Sequence, residues 1–104
     1  MIKELLTAAG IPCRETRWVS KPPAQTYALY LVGTGADGPD GINRIFTHDI
    51  TVELYEPKTD PGAEAALEAQ LNARGIKWTK QPRYWLDDVE RYQVIYEFSY
   101  IKKT

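Results

Sequence analysis

The chain has 104 residues, of which 43% are hydrophobic and 26% charged, with seven glycines and seven prolines. This length and balance predict one domain over residues 1–104, with a core able to fold without disulfide or metal staples, and exclude fibrous and disordered classes. A formal net charge of −1 offers no cation excess for a phosphate backbone, and a single cysteine, Cys13, excludes both an intramolecular disulfide and a thiolate-rich metal site.

In the first segment, Ile2, Leu5, Leu6 and Ala9 fall at i, i+3, i+4 and i+7, one apolar stripe of a helix, with Gly10 and then Pro12 as its stop. The opening MIKELLTAAGIP has too short an apolar run for a secretion signal. No stretch of about 18 apolar residues follows it, so neither export nor membrane insertion is expected. Residues 13–18, CRETRW, predict a modest edge strand. Lys21-Pro22-Pro23 cannot continue a ladder, because proline lacks the amide donor. TYALYLV, at 26–32, is β-rich and apolar on both parities, as expected of a central strand or one covered on both faces.

Residues 33–41, GTGADGPDG, read as a long hairpin connection rich in residues that tolerate left-handed backbone. A long strand follows, IFTHDITVELY. Phe46, Ile50, Val52 and Leu54 take one parity and Thr47, Asp49, Thr51 and Glu53 the other, which predicts a single core face. Helix signals come next: Thr59 or Asp60 as N-cap, Pro61 at the first helical position, Glu64 and Glu68 near the positive end, and Gly75 as terminator. Ala63, Leu67 and Leu71 sit at i, i+4 and i+8 between them. IKWTK, at 76–80, predicts a fourth strand, and QPRYWLDDVE shows no readable period. The closing RYQVIYEFSYI carries Tyr92, Val94, Tyr96, Phe98 and Tyr100 on one parity, a second core-facing row. The order α-β-β-β-α-β-β predicts an α+β fold with two helices packed on one face of a mostly antiparallel sheet.

The first six residues of GTGADGPDG spell the G-x-G-x-x-G of nucleotide loops, but such a loop must open into a helix whose free amides hold the phosphate. Here Pro39, Asp40, Gly41 and then a strand follow, and Asp37 and Asp40 would set carboxylates beside the anion. Counting Asp37 as the first position of a calcium loop puts His48 where the bidentate glutamate belongs. His48 is the only histidine, so the chain alone cannot assemble a histidine-based zinc or catalytic constellation. Cys13 has no base within sequence reach to activate it. Asp87, Asp88 and Glu90 read as a solvated or interface-facing turn. The aromatic series Trp78, Tyr84, Trp85, Tyr92, Tyr96, Phe98 and Tyr100 runs beside acidic residues, which fits core and interface packing better than stacking on bases. No catalytic, cofactor-binding or metal-binding residue is assigned, and no enzyme activity is expected.

The sheet face turned away from the helices is expected to carry Ile45, Thr47, Thr51, Glu53 and Tyr55 from one strand and Gln93, Ile95, Glu97, Ser99 and Ile101 from the last. That mixture is about as apolar as a non-obligate interface, and it predicts association of subunits through this face or its edges.

The passage DITVELYEPKTDPGAEAALEAQL, followed after a short strand by ERYQVIYEFSY, resembles the small tail-completion or tail-terminator proteins encoded among the head-tail joining genes of long-tailed phages and prophages. The similarity runs over nearly the whole chain and lies in the order of its elements together with VELYEPKTDP and YQVIYEF. It implies a non-enzymatic virion protein, present in the host cytoplasm during assembly, that forms a ring, commonly hexameric, on the tail tube. There it stops tube polymerisation and meets the head connector. The implied partners are other copies of the chain, the tail tube and the connector, with no cofactor, no nucleic-acid sequence recognition and no membrane. The segment from Gly33 to Asn43 is the expected flexible contact element. The candidate contact residues are Gly35, Ala36, Asp37, Gly38, Asp40, Ile45, Tyr55, Ile95 and Ile101. A free-standing adaptor or inhibitor-type binding module from a mobile element is the alternative reading.

Overall fold

The computed structural model describes residues 2–18, 21–37 and 45–103 of the chain. The first apolar stripe forms helix α1, Ile2–Ala8, and the second forms α2, Pro61–Ala73. Both end in the same way. Gly10 and Gly75 take left-handed backbone, with φ of 78° and 68°. The next amide then reaches back five residues, from Ile11 to the Leu6 carbonyl at 3.0 Å and from Ile76 to that of Leu71 at 2.9 Å. This is the glycine-dependent cap that satisfies the last carbonyls of a helix. At the start of α2, Asp60 is the N-cap, its Oδ1 accepting from the Ala63 amide at 3.1 Å, and Pro61 opens the first turn.

Six strands are formed among the described residues: β1, Cys13–Glu15; β2, Tyr27–Asp37; β3, Ile45–Glu56; β4, Trp78–Lys80; β5, Tyr84–Leu86; and β6, Arg91–Lys103. The sheet runs β1-β2-β3-β6-β4, with β5 also on β6, and every pairing is antiparallel except β1 with β2. The α+β order is the one the sequence predicts, with β5 as an additional strand. The predicted edge strand at 13–18 stops at Glu15, because Thr16 turns into left-handed backbone at φ 68°.

One expectation is corrected. Residues 33–37 are not part of a hairpin connection; they continue β2 and pair residue for residue with β3, from Gly33 opposite Asp49 to Asp37 opposite Ile45. Gly33 does not use left-handed backbone, and its ladder with β3 overrides the turn-like composition of the segment. The rest of the glycine segment, including Gly38 and Asp40, lies outside the described residues.

The core lies between the helices and one face of the sheet. Ile2, Leu5 and Leu6 from α1 and Leu67 and Leu71 from α2 pack over Ala28, Ile50, Val52, Leu54, Val94, Tyr96 and Phe98. Apart from Ala28, on the strand expected to be apolar on both parities, these strand residues are even-numbered members of the predicted rows. The β2-β3-β6 ladder runs on past Ile50 and Phe98 to Ile45 and Lys103, giving a molecule 48 × 28 × 23 Å in extent.

The stretch without a readable period contains a β-bulge. Lys80 lies opposite Tyr96 and Tyr84 opposite Gln93, so three residues on one side face two on the other. Pro82, which has no amide to give, sits in that break. The extra residue resets the alternation, so that Lys80 and Arg83 both reach toward α2, as their ion pairs with Glu64 show.

Candidate assembly surfaces and a buried charge cluster

Strand parity decides what meets on the face that the helices leave open. Even positions of β3 and β6 carry the core, so the odd ones turn to the other face. At one end of this face an aromatic row crosses the sheet. Trp18 stacks on Tyr27 with ring centroids 5.6 Å apart, and Tyr27 on Tyr55 at 5.2 Å. The Arg14 guanidinium lies 4.5 Å over the Trp18 ring and that of Arg91 lies 5.5 Å over Tyr27. Arg91 also donates to the carbonyls of Ala24 and Pro23, at 3.1 and 3.2 Å, tying the β1-β2 connection across this end.

Tyr55, a candidate contact residue, belongs to this row. Its hydroxyl donates to Glu53 Oε1 at 2.9 Å and accepts from Gln93 Nε2 at 3.1 Å. Burial first, and the Glu53 carboxylate second, push its phenol up to about 12. Ile95 is half-buried and lies opposite Glu53. Farther along the ladder, Gly35 faces Thr47 and Thr47 faces Ile101, while Asp37 faces Ile45 and Ile45 faces Lys103. Gly35, Asp37, Ile45 and Ile101 are thus brought together at register positions of the same parity as Tyr55 and Ile95. Ala36, opposite Phe46, has the other parity.

On the helix side, the core row of β3 continues Ile50, Val52 and Leu54 with a carboxylate, Glu56, which is fully buried. Its Oε1 accepts from Arg83 Nε and from the Asp60 amide, each at 3.4 Å. Glu64, on the first turn of α2 and also buried, pairs with Arg83 and, at 2.7 Å, with Lys80. Lys80 reaches Glu68 at 2.9 Å, and the Tyr96 hydroxyl donates to the same Glu68 oxygen at 2.6 Å. Thr26 closes the cluster by donating to Asp60 at 2.6 Å.

Two buried carboxyls side by side cannot both ionise cheaply. Burial, followed by the hydrogen bond and charge of Glu64, raises Glu56 to about 7. Burial also opposes ionisation of Glu64, but its hydrogen bonds with Glu56, Lys80 and Arg83 outweigh it and lower Glu64 to about 2. The second oxygen of Glu56, Oε2, has no donor beside it. A proton on Glu56 directed at Glu64 would give that oxygen a partner, and it is consistent with the direction of both shifts. The cluster fastens the bulged β4-β5 segment to α2 and the end of β3. Sequence reading placed Glu64 and Glu68 only as helix-end charges. The usable signal was Glu56 at the next step of the core parity.

The aromatic series divides. Tyr96 and Phe98 are buried and Trp78 half-buried, with Trp78 and Tyr96 rings 5.6 Å apart, whereas Tyr84 and Trp85 are exposed on the β5-β6 hairpin. Trp85 is held edge-on to Tyr92, with centroids 5.0 Å apart, and donates to Asp87 at 2.7 Å. Among the described residues no helix is long and apolar enough to cross a membrane, and no group of three His, Cys, Asp or Glu residues is placed to hold a metal ion.

No protein-family model matches this chain, and no curated protein does. Among solved structures, a chain from one described as "Virion of native gene transfer agent (GTA) particle" is similar. The TM-score is 0.65 with 14% identity, covering 96% of this chain and 84% of that one. At that identity the likeness establishes a shared fold.

Proposed function

We propose that this chain is a structural component of a phage-like virion, acting as a tail-terminator or tail-completion subunit. It assembles as a ring, hexameric as the resemblance implies, on the head-proximal end of the tail tube, limits tube growth and meets the head connector. Its work is done by complementary protein surfaces, without a catalytic group or cofactor. The observation that carries this reading is the fold shared over 96% of the chain with a component of a gene transfer agent virion. The ladder beyond the core supports it: paired backbone from residues 33–37, 45–49 and 99–103 extends past the helices and carries the candidate contact positions Gly35, Asp37, Ile45 and Ile101. Electron microscopy of particles made without this gene tests the proposal. Overlong or headless tails are expected, and tails of normal length joined to heads would refute it.

A further inference from the structure

Among the described residues, the large hydrophobic side chains left exposed are Leu31 (38%), Val32 (42%), Tyr84 (50%), Trp85 (44%) and Val89 (45%). They fall into two groups on opposite edges of the sheet. Leu31 and Val32 stand on β2 just past Tyr30, where β1 ends and leaves β2 without a described strand beside it. Tyr84, Trp85 and Val89 stand on the β5-β6 hairpin, and β5 has no described strand on its side away from β6.

The charges divide in the same way. The hairpin stretch YWLDDVE carries Asp87, Asp88 and Glu90 and no basic residue. Around β1 the exposed charges are Arg14 and Glu15 in the strand, Lys3 and Glu4 on α1, and Arg17 and Lys21 in the connection that follows, four basic against two acidic. A twofold contact would set the acidic hairpin against its own copy, like charge on like. A head-to-tail contact sets acid against base and, since Leu31 and Tyr84 have the parity of the open face and Val32 and Trp85 that of the helix side, apolar side chain against apolar side chain on each face of the sheet. The strand directions agree with it: β2, β3, β6 and β5 alternate, so β5 runs antiparallel to β2. Tyr84 is level with Tyr27 across the ladder, so a copy placed head to tail meets the free edge at Leu31 in the antiparallel sense when it is staggered by the four residues from 27 to 31.

We propose that the β5-β6 hairpin of one copy, through Tyr84, Trp85, Val89 and its acidic tip, seats on the free β2 edge of a second copy at Leu31 and Val32, just past the end of β1 at Glu15, with Arg14 and Arg17 within two residues of that end. This rests on the ring assembly proposed above and supplies its contact, because a repeated head-to-tail interface closes into a ring when its rotation allows.

The test is sedimentation over a concentration series with Val89→Glu, Leu31→Glu and their equimolar mixture. Unchanged thermal melting of each variant confirms that it folds. Each variant alone is expected to self-associate at least about 30-fold more weakly than the parent. The mixture should stop at one-to-one dimers, since it holds one intact hairpin and one intact edge. Independently, Leu31→Cys with Val89→Cys should give a ladder of covalent multimers on oxidation. Variants that assemble like the parent, or a doubly substituted chain that forms no covalent multimers, overturn this contact while leaving a ring built on other surfaces. A parent that stays monomeric at every concentration also overturns it, and the ring is then judged separately by particle morphology.

Discussion

Replacing Glu56 with glutamine tests whether the buried carboxyl holds a proton against Glu64. A glutamine amide can donate toward Glu64 while its oxygen accepts from Arg83 and the Asp60 amide, so the variant imitates the protonated acid at every pH. In the parent, folded Glu56 keeps its proton up to about 7, whereas in the unfolded chain the same carboxyl ionises near its ordinary value of about 4.3. Between those values the folded state binds more protons than the unfolded state, so stability falls as pH rises. At about 1.4 kcal/mol per unit over roughly two units, the parent should lose on the order of 2–3 kcal/mol between pH 5 and pH 8 from this group. Glu64 contributes with the opposite sign and in another window: its lowered value adds stability that is fully present above the same ordinary value of about 4.3 and is lost as pH falls toward 2. Urea unfolding followed by tryptophan fluorescence at pH 5, 6, 7 and 8 measures the difference. Glu56→Gln should lack most of the parent's decline and be the more stable protein at pH 8. Parallel stability curves for the two proteins across that range would refute the shared proton.

Leu67→Ala should cost about 2–4 kcal/mol in the same unfolding assay, because Leu67 is fully buried beneath α2 and the cavity cannot fully collapse. Asp60→Ala removes the cap that accepts from Ala63 and the acceptor of Thr26, and should lower stability by about 1 kcal/mol or somewhat more. Gly75→Ala should cost about 1 kcal/mol although no atom lies within contact distance of the added methyl, since the penalty comes from φ at 68° alone. Thermal melts showing no change in any one of the three would contradict the role given to that residue.

Much of this fold was legible because local periodicity and tertiary burial agree. Ile50, Val52 and Leu54 of the β3 row, Val94, Tyr96 and Phe98 of the β6 row, and the cap-to-glycine frame of α2 each appear in the structure where the sequence predicts them. Three features were not legible. Glycines and aspartate at 33–37 carry turn chemistry, yet pairing with β3 holds them as strand, a non-local gain that no window of sequence contains. The bulge at Pro82 and Arg83 breaks the alternation that a period search needs, so β5 escaped notice. Of the candidate contact residues, Tyr55 was correctly placed on the open face, but its stacking on Tyr27 depends on a partner 28 positions away in the chain.

From sequence alone came the two helices and their boundaries, the parity of the core strands and the α+β class, since each follows from spacing and cap chemistry within a few residues of its own position. Tertiary structure alone decided the parallel docking of β1, the joining of Glu56, Glu64, Lys80 and Arg83 into one cluster, and the separation of exposed apolar side chains onto two opposite edges. These depend on which strands become neighbours, and that is settled by burial summed over the whole sheet.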